Sequence, residues 1–288
     1  MNRERLTITL RADLLKQLDG LIDGQRLRNR SHAIEYFLSR SLGAQNLKVL
    51  VLAGGKPVYF DSEKKALPKA MVKIAGKPLL EQTLLRLKAS KFSEVIISIG
   101  EGGENIENYF GDGSRFGISI TYLYQKELSG RHEPGRYMSG NAQPLLQARE
   151  ILAGGPFLLL YGDVLSDVDF GDLVEFHRAQ KSSVCTMALT SAESVNMWGL
   201  ARLQGNRVVE FEEKPKNPKT FSRLVNAGVY MAEPEIFSFI SQKCQKLESD
   251  VFPRLAEEGK LFGYPYEGLW LDISNSAAYR QAVKELIS

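Results

Sequence analysis

The segment LKVLVLAGG, from Leu47 to Gly55, is the strongest constraint on the fold. Its apolar side chains follow one another without alternation, which is typical of a strand buried on both faces of a parallel sheet. Later segments share this character and are separated by helical or looped connections: EVIISIG, ISITYLYQ, GPFLLLYGD and SVCTMAL. This alternation predicts an α/β sandwich with a doubly wound, mostly parallel sheet. Ligands of such sheets bind at the carboxyl ends of the strands, where Ala53, Gly54 and Gly55 stand.

The composition of the 288 residues is that of a globular protein, and the length favours two structural units. With 43% hydrophobic and 25% charged residues, the chain can bury a sizeable core. A net charge of +3 does not by itself indicate a nucleic-acid-binding protein. Cys185 and Cys244 lack metal-ligand spacing, and we find neither a secretory h-region nor an apolar run of membrane-spanning length. We therefore expect a cytoplasmic protein with reduced thiols and no membrane partner.

The sequence pattern predicts that residues 1–44 form a small unit, separate from a larger unit of residues 47–288. The segment RLTITL alternates polar and apolar residues, as a strand does, and two segments with helical spacing of apolar residues follow, ended by Gly24 and Gly43. One strand and two helices cannot enclose a core alone. We therefore expect this unit to form a homodimer.

The pattern RLTITLRADLLKQLDGLI followed by NRSHAIEYFLSRSL resembles the ribbon-helix-helix family of DNA-binding domains. The resemblance implies that two chains pair their strands into an antiparallel ribbon. Arg5, Thr7 and Thr9 would then face base edges in the major groove. Two of these three residues carry no charge, so a unit that dimerises without binding DNA is the alternative.

Residues 47–285 resemble the sugar-phosphate nucleotidyltransferases, which join an NTP to a sugar 1-phosphate and release pyrophosphate. The resemblance rests on an ordered set of motifs: LAGG, PKAMVKIAGKPLLE, YGD, WGLARL, FEEKP, NAGVY and LWLDI. It implies an enzyme whose substrates are an NTP and a sugar 1-phosphate or a similar phosphorylated small molecule.

The resemblance also implies the catalytic and metal-binding residues. Lys69 in PKAM would contact the phosphates and stabilise charge that grows at the α-phosphorus, where two anionic reactants meet. Asp163 in YGD and Asp272 in WLDI would jointly hold Mg²⁺, which prefers a few carboxylates together with phosphate oxygens. A turn former or helix cap is the alternative for either aspartate.

Two further groups of residues are implied to bind the substrates. The nucleotide would contact Ala53, Gly54 and Gly55, and also Gly140 and Asn141 at the helix start in SGNAQPLLQA. Glu213 would accept hydrogen bonds from sugar hydroxyls, and Lys214 would hold the sugar phosphate. Gly199 and Asn226 would complete the sugar site, with a role as turn residues as the alternative.

The segment between LAGG and PK departs from the family pattern. The family's Gly-Thr-Arg-Leu is replaced by Pro57, Val58, Tyr59 and Phe60, which removes a backbone donor and an arginine. Charge-assisted contacts of this kind are worth roughly 1.5–3 kcal/mol each. Two hypotheses follow: a nucleotidyltransferase with a remodelled triphosphate contact, or a catalytically weak nucleotide-sugar sensor that the N-terminal unit places on DNA. Lys69 and the two aspartates favour the enzyme.

Overall fold

The computed structural model of the chain describes residues 7–25, 27–43, 47–58, 66–125, 140–217 and 222–273. Contacts within the chain separate two units, Met1–Gly43 and Ala44–Ser288. Across the described ranges, no helix combines the length and the apolar character that crossing a lipid bilayer requires.

The described part of the N-terminal unit contains two helices, α1 (Ala12–Gly20) and α2 (Arg30–Gly43). The Arg30 guanidinium joins them by donating to both carboxylate oxygens of Asp19, at 2.6 and 2.7 Å. Helix α2 is capped by Asn29, whose side-chain oxygen accepts from the backbone N–H of His32. These local interactions explain why both predicted helices form.

The described part of the N-terminal unit exposes several large apolar side chains. Residues 7–10 pair with no strand of the described chain, and Ile8 and Leu10 are 44% and 37% exposed. Residues 5 and 6 of the predicted strand lie outside the described residues. Further exposed apolar side chains are Leu14, Leu21, Phe37 and Leu38. A single copy of this unit therefore gains little stability from apolar burial.

The larger unit contains thirteen strands in its described part. They are β1 (Lys48–Leu52), β2 (Lys73–Ile74), β3 (Lys77–Pro78), β4 (Glu94–Ile99), β5 (Ser119–Tyr124), β6 (Phe157–Tyr161), β7 (Val164–Ser166), β8 (Cys185–Ser191), β9 (Gly199–Gln204), β10 (Arg207–Glu213), β11 (Leu224–Ala232), β12 (Leu261–Pro265) and β13 (Trp270–Asp272). Nine of them form one sheet in the order β5-β4-β1-β6-β11-β8-β12-β10-β9. Strands β13 and β7, and β2 and β3, form two small sheets.

Helices and short turns connect these strands. The helices are α3 (Leu79–Ala89), α4 (Glu104–Phe110), α5 (Ala142–Gln147), α6 (Arg149–Leu152), α7 (Phe170–Ala179), α8 (Leu247–Asp250) and α9 (Phe252–Glu257). Short 3₁₀ turns lie at Lys69–Met71, Ser114–Phe116, Val195–Met197 and Pro234–Phe239.

The α/β architecture is confirmed, but the sheet is mixed and not mostly parallel. Strands β5, β4, β1 and β6 are parallel neighbours, as the apolar runs predicted. Strand β11 is antiparallel to both β6 and β8, and β10 is antiparallel to both β9 and β12. Gly205 and Asn206 alone join β9 to β10, and so short a connection allows only an antiparallel pair.

The central strand β1 is buried on both faces of the sheet. Val49 and Val51 enter one apolar core with Leu80 of α3, whereas Leu50 and Leu52 enter the other. Because successive strand side chains point to opposite faces, an uninterrupted apolar run fits this position. The sequence pattern of the opening segment is thereby explained.

A buried histidine on α7 makes the stability of the larger unit dependent on pH. Burial lowers the pKa of His177 from 6.5 to about 4, with a smaller effect from the Arg178 charge. Its Nδ1 lies 2.8 Å from Thr186 Oγ1, and its Nε2 lies 3.3 Å from Glu233 Oε1. The ring is thus neutral and hydrogen-bonded in the folded protein at neutral pH.

We expect acidification from pH 6.5 to pH 4 to remove about 3 kcal/mol of stability through His177. In this range the unfolded histidine takes up a proton and the folded one does not, so the unfolded state is favoured as the pH falls. Urea unfolding of the wild type and of His177→Gln at pH 7 and pH 4 measures this contribution. His177→Gln should have a lower free energy of unfolding at pH 7 than the wild type, and this free energy should fall less between pH 7 and pH 4. An equal fall in both proteins would contradict the assignment of the pH dependence to His177.

Candidate active site

The carboxyl ends of β1, β4 and β6 meet at one edge of the large sheet. The N–H of Ala53 donates to the carbonyl of Ser98 at 2.9 Å, and the N–H of Gly162 donates to the carbonyl of Leu52 at 2.9 Å. These bonds continue the parallel pairing beyond the strand ends. Residues 53–55 and residues 162–163 therefore lie side by side, as predicted for a ligand-binding edge.

Lys69 and Asp163 are in direct contact at this edge. Lys69 Nζ lies 3.0 Å from Asp163 Oδ2, and each side chain is 28% exposed. Lys69 begins the 3₁₀ turn that follows Pro68, and Asp163 follows β6 after Gly162. A partly buried carboxylate is costly without a positive partner, so this contact satisfies both charges.

Asp272 lies next to Asp163 through the small sheet of β7 and β13. In the antiparallel register Asp272 is opposite Val164, and the N–H of Ile273 donates to the carbonyl of Asp163 at 2.9 Å. The structure therefore brings together two aspartates that are far apart in the sequence. Of the described residues, no three His, Cys, Asp or Glu side chains form a group that could hold a metal ion.

A pocket of about 360 Å³ opens beside the two aspartates. It is lined by Asp272 and by all the residues that the resemblance implied for the sugar: Gly199, Glu213, Lys214 and Asn226. Trp198 and Met197 form part of its wall. Residues from β9, β10, β11 and β13 meet here, so the predicted sugar residues share one cavity.

Glu213 and Lys214 form the charged part of the pocket. Burial raises the pKa of Glu213, Glu248 raises it further, and the Lys214 charge lowers it. Lys214 Nζ lies 3.9 Å from Glu213 Oε1. Lys214 has a φ of 48°, and its N–H donates to the carbonyl of Trp198 at 3.0 Å. A left-handed lysine is a strained backbone position, and such strain is concentrated at functional sites.

Gly199 is required by packing at the start of β9. A Cβ at this position would overlap the ring of Phe211 and would lie 3.1 Å from Glu213 Oε2. The absence of a side chain therefore lets the Glu213 carboxylate approach the backbone of β9.

Sequence reasoning missed two residues of the pocket, Tyr161 and Glu248. The hydroxyl of Tyr161 donates to Glu248 Oε1 at 2.6 Å. Tyr161 is the first residue of the YGD motif, so this motif could have indicated it. Glu248 lies in the segment LESD, which belongs to none of the motifs, so no local pattern indicated it.

Asn141 is hydrogen-bonded to both of these residues. Its Nδ2 lies 2.6 Å from Tyr161 Oη and 3.0 Å from each carboxylate oxygen of Glu248. Its Oδ1 accepts from the backbone N–H of Leu247 at 2.7 Å. The predicted nucleotide residue thus adjoins this pocket through its side chain, and its contact with a nucleotide stays a prediction.

Gln125 is a buried polar residue beside the glycine turn that sequence reasoning also missed. Its N–H donates to the carbonyl of Ile99 at 2.8 Å, which continues the edge of β4. The Gln125 carboxamide occupies the space in which a Cβ of residue 54 would lie. Its Nε2 lies 3.4 Å from Ser98 Oγ. Gly54 therefore accommodates a buried amide at the candidate nucleotide site.

The altered phosphate segment is described for Pro57 and Val58, while Tyr59 and Phe60 lie outside the described residues. Val58 pairs with Leu67: the N–H of Val58 donates to the carbonyl of Leu67 at 2.9 Å, and the reverse bond is 3.0 Å long. Pro57 has no N–H, and the N–H of Val58 is already used. These two backbone positions are therefore not donors for a phosphate in this conformation.

Residues 48–288 match the family model described as nucleotidyl transferase. The chain is 30% identical over 249 residues to the UTP–glucose-1-phosphate uridylyltransferase of Synechocystis, covering 84% of this chain and 64% of the relative. It is 30% identical over 232 residues to the mannose-1-phosphate guanylyltransferase catalytic subunit beta of Danio rerio, covering 79% of this chain and 61% of the relative. The chain thus spans less than two thirds of the length of these curated relatives.

Solved structures share the same fold. A Bacillus anthracis crystal structure in complex with sucrose matches with a TM-score of 0.72 and 23% identity, over 83% of this chain and 94% of that one. HddC from Yersinia pseudotuberculosis complexed with GMP-PN matches with a TM-score of 0.66 and 19% identity, over 83% and 99% of the two chains.

We expect Gly199→Ala to destabilise the protein by about 1–3 kcal/mol, because the added methyl group overlaps the Phe211 ring. Urea unfolding at pH 7 measures the effect. Gly154→Ala is the matched control, since a Cβ at residue 154 meets no atom within 4 Å. The control should change stability by less than about 0.5 kcal/mol. Equal stability of both variants would show that Phe211 moves aside freely.

Proposed function

The chain belongs to the nucleotidyl transferase family, and we propose that it transfers a nucleotidyl group from an NTP to a sugar 1-phosphate and releases pyrophosphate. The observation that carries the proposal is the 3.0 Å contact of Lys69 with Asp163, whose chain neighbour Val164 lines the pocket that contains Glu213 and Lys214. In the proposal Lys69 binds phosphate next to this polar cavity of about 360 Å³.

The reaction requires no change of protonation at its centre. A phosphate oxygen of the sugar 1-phosphate forms a bond to the α-phosphorus of the NTP. The bond between the α-phosphorus and the oxygen that bridges to the β-phosphate breaks, and its electron pair leaves with pyrophosphate. Both reactants are anionic, so stabilisation of negative charge dominates the barrier. In the proposal Lys69 supplies a fixed positive charge where that negative charge increases.

Asp163 and Asp272 fit a Mg²⁺ site by their chemistry. They provide carboxylates on neighbouring backbone segments, and Mg²⁺ favours one or two carboxylates completed by substrate phosphates and water. When bound, the ion would offset the negative charge of the phosphates. Lys69 Nζ donates to Asp163 Oδ2 at 3.0 Å. We infer that Lys69 exchanges this partner for a substrate phosphate.

The pocket residues suit a substrate that has both hydroxyls and a phosphate. Glu213 is positioned to accept hydrogen bonds from hydroxyls, and the exposed Lys214 can reach a phosphate at the mouth of the pocket. Asn226 donates to the Tyr230 hydroxyl at 2.7 Å and accepts from the N–H of Gly228 at 3.0 Å, so its carboxamide has a fixed orientation. A fixed amide and a carboxylate on one side of a cavity favour a sugar over a simple alkyl phosphate.

We also propose a cytoplasmic location and a homodimer formed by the N-terminal unit. NTP substrates are cytoplasmic, and both cysteines are buried free thiols. The exposed apolar side chains of residues 8, 10, 14 and 21 support the dimer, since a second copy would bury them. DNA contact by Arg5, Thr7 and Thr9 stays a prediction: both threonines are exposed, and Arg5 lies outside the described residues.

We expect Lys69→Met and Asp163→Asn each to lower the rate of pyrophosphate release by about 10²-fold or more. The first removes the positive charge proposed to contact the phosphates, and the second removes a carboxylate proposed to hold Mg²⁺. The assay supplies Mg²⁺, each NTP in turn, dTTP, and a panel of sugar 1-phosphates and phosphorylated alcohols. Lys77→Met is the matched control, since Lys77 is 56% exposed and its ion pair is with Glu81. Its rate should equal that of the wild type.

Because the phosphate segment is altered, the assay of the wild-type protein decides between the transferase and the sensor hypotheses. Release of pyrophosphate with one pair of substrates establishes the transferase and identifies the nucleotide. Nucleotide-sugar binding without release from any pair would favour the sensor hypothesis instead. Unchanged activity of Asp163→Asn would show that the metal site lies elsewhere.

We expect the full chain to be a dimer in solution, and the double substitution Ile8→Lys with Leu10→Lys to make it monomeric. Charged side chains at these positions cannot be buried between two copies without a large desolvation cost. Light scattering after size-exclusion chromatography measures the mass. Leu85→Lys is the control because Leu85 is a 39% exposed residue of the larger unit. A dimer that persists in the double variant would place the interface elsewhere.

A further inference from the structure

We propose that Asn141 and Tyr161 are positioning residues that hold Glu248 in the sugar pocket, and that they act on sugar 1-phosphate binding rather than on nucleotide binding. The proposal rests on the proposed function, because it assigns roles within the same site. It gives Asn141 a task that differs from the nucleotide contact implied by the sequence.

The carboxamide of Asn141 is fully engaged by protein groups. Its oxygen must face the N–H of Leu247, which donates to it at 2.7 Å, and this orients the Nδ2 group toward Tyr161 and Glu248. The two Nδ2 hydrogens then meet the Tyr161 hydroxyl and the Glu248 carboxylate. A carboxamide has two donor hydrogens, so donation from the Asn141 side chain to a nucleotide would require breaking one of these bonds.

Tyr161 forms the second support of Glu248. Its hydroxyl accepts from Asn141 and donates to Glu248 Oε1 at 2.6 Å. Burial and the Glu248 charge hold the pKa of Tyr161 well above its usual range, so the hydroxyl remains a donor. The ring packs against that of Tyr230, with centroids 5.4 Å apart. Because ring packing holds the Tyr161 hydroxyl in place, its hydrogen bond restricts the position of the Glu248 carboxylate.

The backbone around Asn141 is docked on the segment that carries Glu248. The N–H of Ala142 donates to the carbonyl of Gln245 at 3.1 Å. Gly140 has a φ of 108°, and a Cβ there would overlap this same carbonyl. The start of α5 and the start of α8 are therefore held together by backbone contact, and Asn141 extends that contact to the pocket.

Glu248 in turn influences the residue proposed to bind sugar hydroxyls. Both carboxylates line the pocket, and Glu248 is the main charged group that raises the pKa of Glu213. Two carboxylates at one cavity accept more hydroxyl hydrogens than one. If the supports of Glu248 are removed, we expect the sugar to lose an acceptor while the nucleotide side is unaffected.

The test compares the KM for the sugar 1-phosphate with the KM for the NTP. Tyr161→Phe keeps the ring packing and removes the hydroxyl, and Asn141→Ala removes the amide. Each should raise the KM for the sugar 1-phosphate about 10-fold or more, as loss of a hydrogen bond to a charged group does. The KM for the NTP should remain within about twofold of the wild-type value.

Gln143→Ala is the matched control for folding. Gln143 lies on the same helix and donates to the carbonyls of Ser241 at 3.0 Å and Cys244 at 2.6 Å. It supports the same loop without a contact to Glu248, so it should lower the melting temperature and leave both KM values unchanged. If this control also raises the KM for the sugar 1-phosphate, general loosening explains the effect and the proposal fails.

A double-mutant cycle separates support of Glu248 from direct contact with a substrate. In the Glu248→Gln background, Tyr161→Phe should change the KM for the sugar 1-phosphate by less than about twofold, because the supported charge is gone. If Tyr161→Phe raises this KM in the Glu248→Gln background as much as it does in the wild type, Tyr161 does not act through Glu248 and its positioning role is wrong. A rise in the KM for the NTP with Asn141→Ala would restore the nucleotide role instead.

Calorimetry distinguishes failure of this inference from failure of the proposed function. If no substrate pair gives pyrophosphate, the transferase proposal fails, and the affinity of the wild type and of Tyr161→Phe for each sugar 1-phosphate is measured directly. Weaker binding by the variant then supports the role of Tyr161 and Asn141. Equal binding, or no binding by the wild type, contradicts it.

Discussion

Strand β1 has a parallel neighbour on each side, and this pairing determines where the site can form. Leu52 is in register with Ser98 of β4 and with Tyr161 of β6, so three chain segments leave the sheet at the same level. The bonds from Ala53 and Gly162 continue the register past the last strand residues. A shift of one residue would turn the buried side chains of β1 toward the opposite faces. The apolar cores on both faces therefore hold the glycine turn and Asp163 in place.

The charges at this edge are arranged in pairs of opposite sign. Lys69 neutralises Asp163, and Lys214 lies near Glu213. Acidic groups nevertheless predominate in the pocket, where Asp272 and Glu248 are added. A cavity of this kind needs cations before it accepts an anionic phosphate. This is the physical reason why a metal ion and the positive charge of Lys69 fit the proposed reaction together.

Short motifs in the sequence identified most of the candidate residues. Lys69, Asp163, Asp272, Glu213 and Lys214 were all identified from short patterns, and the structure gathers the last three in one pocket. Glu248 was missed because it contacts Asn141 and Tyr161 from 107 and 87 residues away. No local pattern records such a contact. The mixed sheet was missed for a related reason: an apolar run indicates that a strand is buried, but it does not indicate the direction of its neighbours.

The sequence alone determined the α/β class, five of the strands (β1, β4, β5, β6 and β8) and the family, because each is recorded in local patterns of apolar residues and short motifs. It also indicated an N-terminal unit with too few structural elements to enclose a core alone. The tertiary structure decided which side chains share the pocket, what Asn141 binds and how β11 enters the sheet. These features depend on distances between segments that are remote in the chain, and only the packed fold sets those distances.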